Sequence, residues 1–271
     1  MMKMASIVPQ NLLHHIQNND MHMALAHLID EPGYEDYTSF YKKGRKEDSY
    51  LILDNGVIEG SPMPISVIDA KANYIGADEI VLPDAYKDFP ETLELISASM
   101  DWLKKCYAQE ELPYKLMVVP QGKSEEEWLF CLKAILKICG DKINTIGIPK
   151  HLVDTLGQRD ARLSVIKKLH DDPEIILGDW EIHLLGCWTT PIEVLTIAKA
   201  AEQGLIPMVR SCDSAIPYVY ARSNKYFSDS DRPDHMAIDF TYGQCNEDIL
   251  QQNIQSWNNV GALLPDKILH I

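Results

Sequence analysis

The sequence lacks any long apolar stretch, and this sets the first limit on what the protein can be. Among its 271 residues, no run reaches the roughly 18 to 20 apolar residues that a membrane-spanning helix needs. The segment after Met1 to Ala5 is polar, unlike the apolar centre of a secretory signal peptide. We therefore expect a cytoplasmic protein that does not enter a membrane.

Paired cysteines are also missing. The six cysteines are scattered without a C-x-x-C pair, which favours reduced thiols in a cytoplasm over an iron–sulfur or zinc site. The sequence has no H-x-H pair of the kind found in metal-dependent barrel hydrolases. It also has no C-x3-C-x2-C cluster of a radical enzyme. We expect no metal and no cofactor.

Basic residues are also few compared with acidic residues. The chain carries 25 Lys and Arg against 40 Asp and Glu, a formal net charge of −15. This balance disfavours indiscriminate binding of nucleic acid, but it leaves room for a local basic face. The remaining composition, 46% hydrophobic and 24% charged, is that of an ordinary globular protein.

Short apolar runs alternate with longer helix-like segments from end to end. The predicted strands are residues 21–29, 50–53, 79–82, 115–119, 143–148, 181–186, 206–210 and 236–240. The predicted helices are residues 12–17, 65–76, 90–109, 159–170, 191–203 and 247–257, with one more starting after Ser124, and residues 30–49 form a polar loop. Alternation of this kind predicts a single (β/α)8 barrel over residues 1–271.

Aspartates stand at the carboxyl ends of three predicted strands. Asp54 and Asp84 follow two of them, and Asp213 follows the strand 206–210. Barrel enzymes place their chemistry at these strand ends. A single aspartate there is more often a cap, so Asp54 could merely cap the turn before Gly56, and Asp84 the next segment. Three together favour a catalytic constellation.

Short motifs at the strand ends resemble a known family. They are residues 53–56, 83–84, 119–122, 146–148, 184–191 and 212–217. Residues 53–56 are similar to the Asp-Ser-Gly-Gly motif of the tRNA-guanine transglycosylases, residues 83–84 to the family's base-reading Asp, and residues 119–122 to its Val-Gln-Gly motif. Residues 146–148 are similar to the Gly-Gly-Leu motif, residues 184–191 to Leu-Met-Gly-x-Gly-Thr-Pro, and residues 212–217 to Phe-Asp-Cys-Val-x-Pro. The family includes 7-deazaguanine DNA transglycosylases of phages and bacteria. Departures include Asn55, Val57, one lost glycine and Val219 in place of an arginine.

The resemblance implies a role for each matched position. Asp213 would be the nucleophile that forms a covalent glycosyl–enzyme intermediate, and Asp54 the general acid and base. Asp84 would accept the N1–H and 2-amino hydrogens of a guanine-like base. The other implied base-binding residues are Gln121, Gly147, Ile148, Ile58, Leu185 and Gly186. Gln121 could instead be an ordinary solvated loop residue.

One departure bears on the nucleic acid. Family members that act on tRNA carry a C-x-C-x2-C…H zinc site after the nucleophile loop, in a subdomain that contacts tRNA. After Asp213 this chain has only Cys245, with His235 and His270, too few ligands for a tetrahedral zinc site. The expected substrates are therefore DNA and a 7-deazaguanine base such as preQ0 or preQ1. Exchange on tRNA or a free nucleoside, and a non-catalytic deazapurine-binding barrel, remain alternatives.

Basic residues in the connecting segments would contact the phosphates. Arg222 matches a family arginine, and Lys42, Lys43, Arg45 and Lys46 form a cluster that we expect on the catalytic face. A solvated loop is the ordinary alternative for this cluster. Others in such loops are Lys123, Lys150, Lys225 and Arg232. His22 and His27 lie on opposite faces of the predicted first strand and are expected to be packing residues.

Overall fold

The computed structural model describes residues 2–60, 62–108, 111–173, 175, 180–187, 191–227, 233 and 237–260. Eight parallel strands form one sheet in the order β1-β8-β7-β6-β5-β4-β3-β2. Their bounds are β1 Lys3–Ser6, β2 Met21–Leu25, β3 Tyr50–Asp54, β4 Glu79–Val81, β5 Lys115–Val118, β6 Thr145–Pro149, β7 Glu181–Leu185 and β8 Ser211–Ser214. β1 lies beside β2 without a hydrogen-bonded ladder. The sheet is thus a nearly closed barrel, which confirms the predicted fold.

Helices cover the outside of the barrel. They are α1 Glu35–Ser39, α2 Ile65–Ile75, α3 Phe89–Cys106, α4 Glu125–Cys139, α5 His151–Leu156, α6 Ala161–Asp171, α7 Ile192–Glu202, α8 Ile216–Arg222 and α9 Glu247–Val260. Shorter turns of helix span Gln10–Ile16, Ala26–Leu28, Phe40–Gly44 and Gly140–Lys142. None of the helices in the described ranges is long and apolar enough to cross a lipid bilayer.

Local sequence explains where the long helices begin and end. The Asp88 side chain accepts a hydrogen bond from the Glu91 N–H at the start of α3, and Ser124 caps α4 by accepting from Glu127. Gly76 ends α2 with a φ of 66°, a conformation that costs glycine little. The predicted polar loop 30–49 instead contains α1 and the helical turn Phe40–Gly44.

The first and last strands differ from the prediction. The barrel begins with Lys3–Ser6, and the predicted first strand is the second one. The eighth strand is Ser211–Ser214, and the preceding residues 206–210 lead into it without forming a strand. Residues 237–240 are irregular, and residue 236 lies outside the described residues. Both strands that the sequence failed to predict are short and partly polar, so a search for apolar runs does not find them. They are strands because they pair with each other, with Ala5 opposite Asp213.

Candidate active site

The carboxyl ends of the strands surround a cavity of about 520 Å³. Asp54, Asp84 and Asp213 all line it. They come from β3, the segment after β4, and β8, which are brought to one end of the barrel because the strands are parallel. The predicted convergence of the three acids is therefore what the structure has.

Asp213 is held by two donors on one oxygen. Its side chain is 7% exposed, and its Oδ1 lies 3.0 Å from the Gly186 N–H nitrogen and 3.1 Å from His183 Nε2. Both partners belong to the neighbouring strand β7 and the residue just after it. Both of these hydrogen bonds are made to Oδ1, and Asp213 lines the cavity wall.

Asp54 ends β3 and shares the cavity with like charges. Its Oδ2 accepts a hydrogen bond of 3.1 Å from the Gly56 N–H, as the capping interpretation predicts. Burial, reinforced by the nearby charges of Glu59 and Asp213, raises the pKa of Asp54 well above its ordinary value. A carboxyl group of raised pKa is suited to act as a general acid.

Glu59 is a cavity acid that the sequence analysis missed. It lies five positions after Asp54 in the exposed loop that follows β3, and it lines the cavity. Partial desolvation at the cavity wall and the charge of Asp213 raise the pKa of Glu59, while the charge of Lys150 opposes the shift. The sequence signal that could have identified Glu59 was a second acidic residue in the loop after Asp54.

Asp84 is buried between two side-chain amides. Its Oδ1 accepts from Asn55 Nδ2 and its Oδ2 from Gln121 Nε2. Burial raises the pKa of Asp84 to about 7, because these two hydrogen bonds offset only part of the desolvation. The alternative that Asp84 is a helix cap is wrong, since Asp88 caps α3.

Gln121 is buried, not solvated. Only 1% of the residue's surface is exposed. Its Oε1 accepts from the Lys87 N–H at 3.0 Å, while its Nε2 donates to Asp84. The following residue must be glycine, because a Cβ at Gly122 would approach the Trp128 backbone nitrogen to 2.7 Å. The start of α4 thus packs directly on the loop that orients Gln121.

The other predicted base-binding residues divide into two groups. Ile58, Leu185 and Gly186 line the cavity. Gly147 and Ile148 do not: Ile148 packs in the core between barrel and helices. Gly147 faces the barrel interior, where a Cβ would come within 2.9 Å of Leu185. On this side the cavity wall is formed by the next two residues, Pro149 and Lys150.

The basic cluster lies at the opposite end of the barrel from the cavity. Lys46 forms an ion pair with Asp20, directly before β2, and Arg45 donates to the Ser49 carbonyl, directly before β3. Lys42 and Lys43 belong to the adjoining turn Phe40–Gly44. The expectation that these residues lie on the catalytic face is wrong, because the connection from β2 has returned to the amino-terminal ends of the strands by residue 42.

The remaining basic residues are distributed unevenly. Lys150 lines the cavity. Arg222, at the end of α8, donates a hydrogen bond of 2.9 Å to the Ala237 carbonyl and is absent from the cavity wall. Arg232 lies outside the described residues, as do His235 and His270. His22 is fully buried against Phe40 and Tyr41, which confirms its predicted packing role.

One group of side chains could offer ligands to a metal ion. Within the described part of the chain, His14, His15 and Glu247 place three ligand atoms within 4.8 Å of one another. They lie at the surface, and none lines the cavity. His15 is already bonded to Gln251 and Glu247. Metal chemistry therefore has no ligand set of this kind in the described cavity wall.

Two of the acids on the cavity wall lie in different environments, since Asp213 is held by two hydrogen-bond donors while Asp54 is buried with a raised pKa. Carboxyl groups whose environments differ in this way are used together for covalent catalysis at glycosidic bonds. The buried Asp84–Gln121 pair adds polar groups that can orient a planar base. No protein-family model matches the chain, and a comparison with curated proteins found no match.

Proposed function

We propose that the protein exchanges guanine in DNA for a 7-deazaguanine base through a covalent Asp213–glycosyl intermediate. The observation that carries the proposal is the meeting of Asp54, Asp84 and Asp213 on the wall of one cavity. Their motifs also occur in the order of the transglycosylases that the sequence resembles. Both supports are needed, since carboxylates in barrel cavities serve many reactions.

In the first half of the reaction, guanine leaves and the enzyme takes its place. Asp213 Oδ2 attacks C1′ of the deoxyribose as the bond from C1′ to N9 breaks. Asp54 gives its proton to the departing base, so guanine leaves neutral and Asp54 becomes a carboxylate. The raised pKa of Asp54 supports this role, because the group must carry a proton at neutral pH.

The second half reverses these steps with another base. Asp54, now ionised, removes the proton from N9 of the 7-deazaguanine. The freed nitrogen attacks C1′, and the bond to Asp213 breaks, which restores the carboxylate. The charge that Asp54 gains in the first half is thus neutralised in the second, so no other acid or base is required.

Asp84 and Gln121 are suited to read a guanine-like edge. Each oxygen of Asp84 accepts one amide hydrogen bond and keeps a lone pair for the N1–H and 2-amino hydrogens of the base. Gln121 uses its carbonyl and one N–H within the protein, which leaves its second N–H for the purine O6. Adenine offers no such pattern at this edge.

The choice of DNA rests on the segment after the nucleophile loop. The sequence there lacks the cysteines of the zinc subdomain that contacts tRNA. A base must leave its stack to reach a cavity inside the barrel end, at a cost of a few kcal/mol. Lys150 on the cavity wall would face the phosphates beside the flipped nucleotide.

Incorporation of a labelled base tests the proposal directly. Purified protein is incubated with labelled preQ0 or preQ1 and, separately, with duplex DNA, tRNA and a free guanine nucleoside. We expect label in DNA and a covalent protein–DNA adduct on denaturing gels. Label in tRNA alone would refute the choice of DNA. Tight binding of the base without any adduct would favour a non-catalytic barrel.

A further inference from the structure

A buried histidine connects Asp213 to the far end of the barrel. His183 is the third residue of β7 and has no exposed surface. Its Nε2 lies 3.1 Å from Asp213 Oδ1, and its Nδ1 lies 2.7 Å from Ser211 Oγ. Ser211 and Asp213 are two positions apart on β8 and face the barrel interior together. The imidazole therefore bridges two residues on the neighbouring strand.

The far end of this connection is an ion-pair cluster at the amino-terminal ends of the strands. Arg210 Nε lies 3.1 Å from Ser211 Oγ. The other guanidinium nitrogens lie 2.7 Å from Glu79 and 2.9 Å from Glu181. Glu79 has no exposed surface and also accepts from the Tyr50 hydroxyl. These contacts engage all three guanidinium nitrogens.

For a neutral His183 imidazole, the hydrogen-bond donors in this series of side chains have one consistent order. Arginine can only donate, so Ser211 Oγ accepts from Arg210 Nε. The Asp213 carboxylate can only accept, so Nε2 of His183 carries its proton. In a neutral imidazole the other nitrogen is then an acceptor, and it receives the Ser211 hydroxyl proton. Every bond from Arg210 through Ser211 and His183 to Asp213 consequently points toward the cavity.

We propose that His183 is a positioning residue, held in its Nε2–H tautomer by Ser211 and Arg210, that fixes the rotamer of Asp213 with Oδ2 toward the cavity. The catalytic consequence rests on the proposed function, in which Oδ2 attacks C1′. The tautomer does not, because it follows from the hydrogen-bond order alone. Orientation of a nucleophile affects the chemical step more than substrate binding.

The second donor to Asp213 is braced by a separate arginine. Gly186 has a φ of 70° and presents its N–H to Asp213, while its carbonyl accepts from Arg162 at 2.8 Å. Arg162 is fully buried and pairs with Glu193. Because the hydrogen bond from Gly186 remains, disrupting the hydrogen bonds that run from Arg210 through Ser211 to His183 should loosen the orientation of Asp213. The Asp213 carboxylate itself should remain able to react.

Nitrogen NMR of ¹⁵N-histidine-labelled protein tests the tautomer without any substrate. We expect His183 Nε2 to carry the proton and Nδ1 to give the signal of an unprotonated ring nitrogen. Ser211→Ala should produce a mixture of tautomers. Thr145→Val serves as the matched control, because it removes another contact of Arg210 but leaves the chain to His183 intact. A protonated Nδ1 in the wild-type protein, as the Nδ1–H tautomer or as the imidazolium, would overturn the proposal.

Kinetics of adduct formation test the consequence. We expect Ser211→Ala to lower the rate of adduct formation about tenfold with an unchanged KM for DNA, as for other residues that orient a reacting group. His183→Gln, which retains a donor, should keep more activity than His183→Ala. Equal rates for Ser211→Ala and Thr145→Val would overturn the positioning role. A wild-type protein that forms no adduct contradicts only the proposed function, since the tautomer measurement stands independently.

Discussion

Gln121 donates a hydrogen bond to the buried carboxylate of Asp84 from a position 37 residues away in the chain. The pair joins the segments that follow β4 and β5, and Asn55 completes it from the segment after β3. Three neighbouring strand ends thus meet on one carboxylate. The hydrogen bonds from Asn55 and Gln121 limit how far burial raises the pKa of Asp84. That pKa is about 7, so the charge of Asp84 changes near neutral pH.

Binding of a guanine-like base should depend on pH through Asp84. Only the ionised carboxylate accepts both hydrogens of the base, and burial raises its pKa to about 7. We expect affinity for labelled preQ1 to fall by about tenfold for each pH unit well below 7 and to level off above it. Fluorescence or calorimetric titration between pH 5 and 9 gives this profile.

Loss of one donor should move that profile to higher pH. Gln121→Leu removes a hydrogen bond that favours the ionised carboxylate, so the pKa of Asp84 should rise further and the midpoint of binding with it. Asn73→Leu is the matched control, because Asn73 pairs with Asp69 outside the cavity. A midpoint that is identical in wild type and Gln121→Leu would contradict the role assigned to the pair.

Asp213→Asn should abolish the reaction while preserving the fold. The asparagine oxygen can still accept from His183 and Gly186, but the amide cannot act as a nucleophile. We expect a loss of about 10⁴-fold or more in base exchange, as for removal of other nucleophiles, and no adduct on denaturing gels. Asp154→Asn changes another acid of the cavity wall and should retain activity. A trapped adduct in Asp213→Asn would exclude Asp213 as the nucleophile.

Asp54→Asn should slow the reaction and stabilise the protein. Asparagine keeps the bond to the Gly56 N–H but cannot shuttle a proton. Because the folded-state pKa of Asp54 is raised, the native protein binds more protons than the unfolded chain, and its stability falls as pH rises above about 4. We expect a gain of about 1 kcal/mol at pH 8 that shrinks toward pH 4. Thermal unfolding across this pH range measures it.

Lys150 and Lys42 should differ in their effect on DNA binding. Lys150 lines the cavity, whereas Lys42 lies at the opposite end of the barrel, over the ring of Tyr74. We expect Lys150→Met to weaken binding of duplex DNA several-fold and to reduce the slope of log affinity against log salt by about 1. Lys42→Met should leave both unchanged. An equal loss in the two variants would place the DNA on another surface.

Sequence periodicity was sufficient for the barrel architecture and for the end of the barrel that holds the acidic cavity. Six of the strands and most helices are recognisable because each is an apolar or amphipathic run long enough to be seen locally. The aspartates 54 and 84 directly follow such runs, and parallel strands bring their carboxyl ends together. Lys3–Ser6 and Ser211–Ser214 were missed as strands because both are short and partly polar. Their pairing is a contact between distant parts of the chain.

Sequence alone determined that this protein is an alternating barrel with acids at the ends of its strands, because strand alternation and strand ends are local properties of the chain. Only the tertiary structure decided which groups surround those acids. The donors to Asp213 come from β7, those to Asp84 from two other strand ends, and the predicted basic face lies at the wrong end of the barrel. Hydrogen bonds and electrostatic interactions depend on the distances between residues that are far apart in the sequence, and closure of the sheet sets those distances.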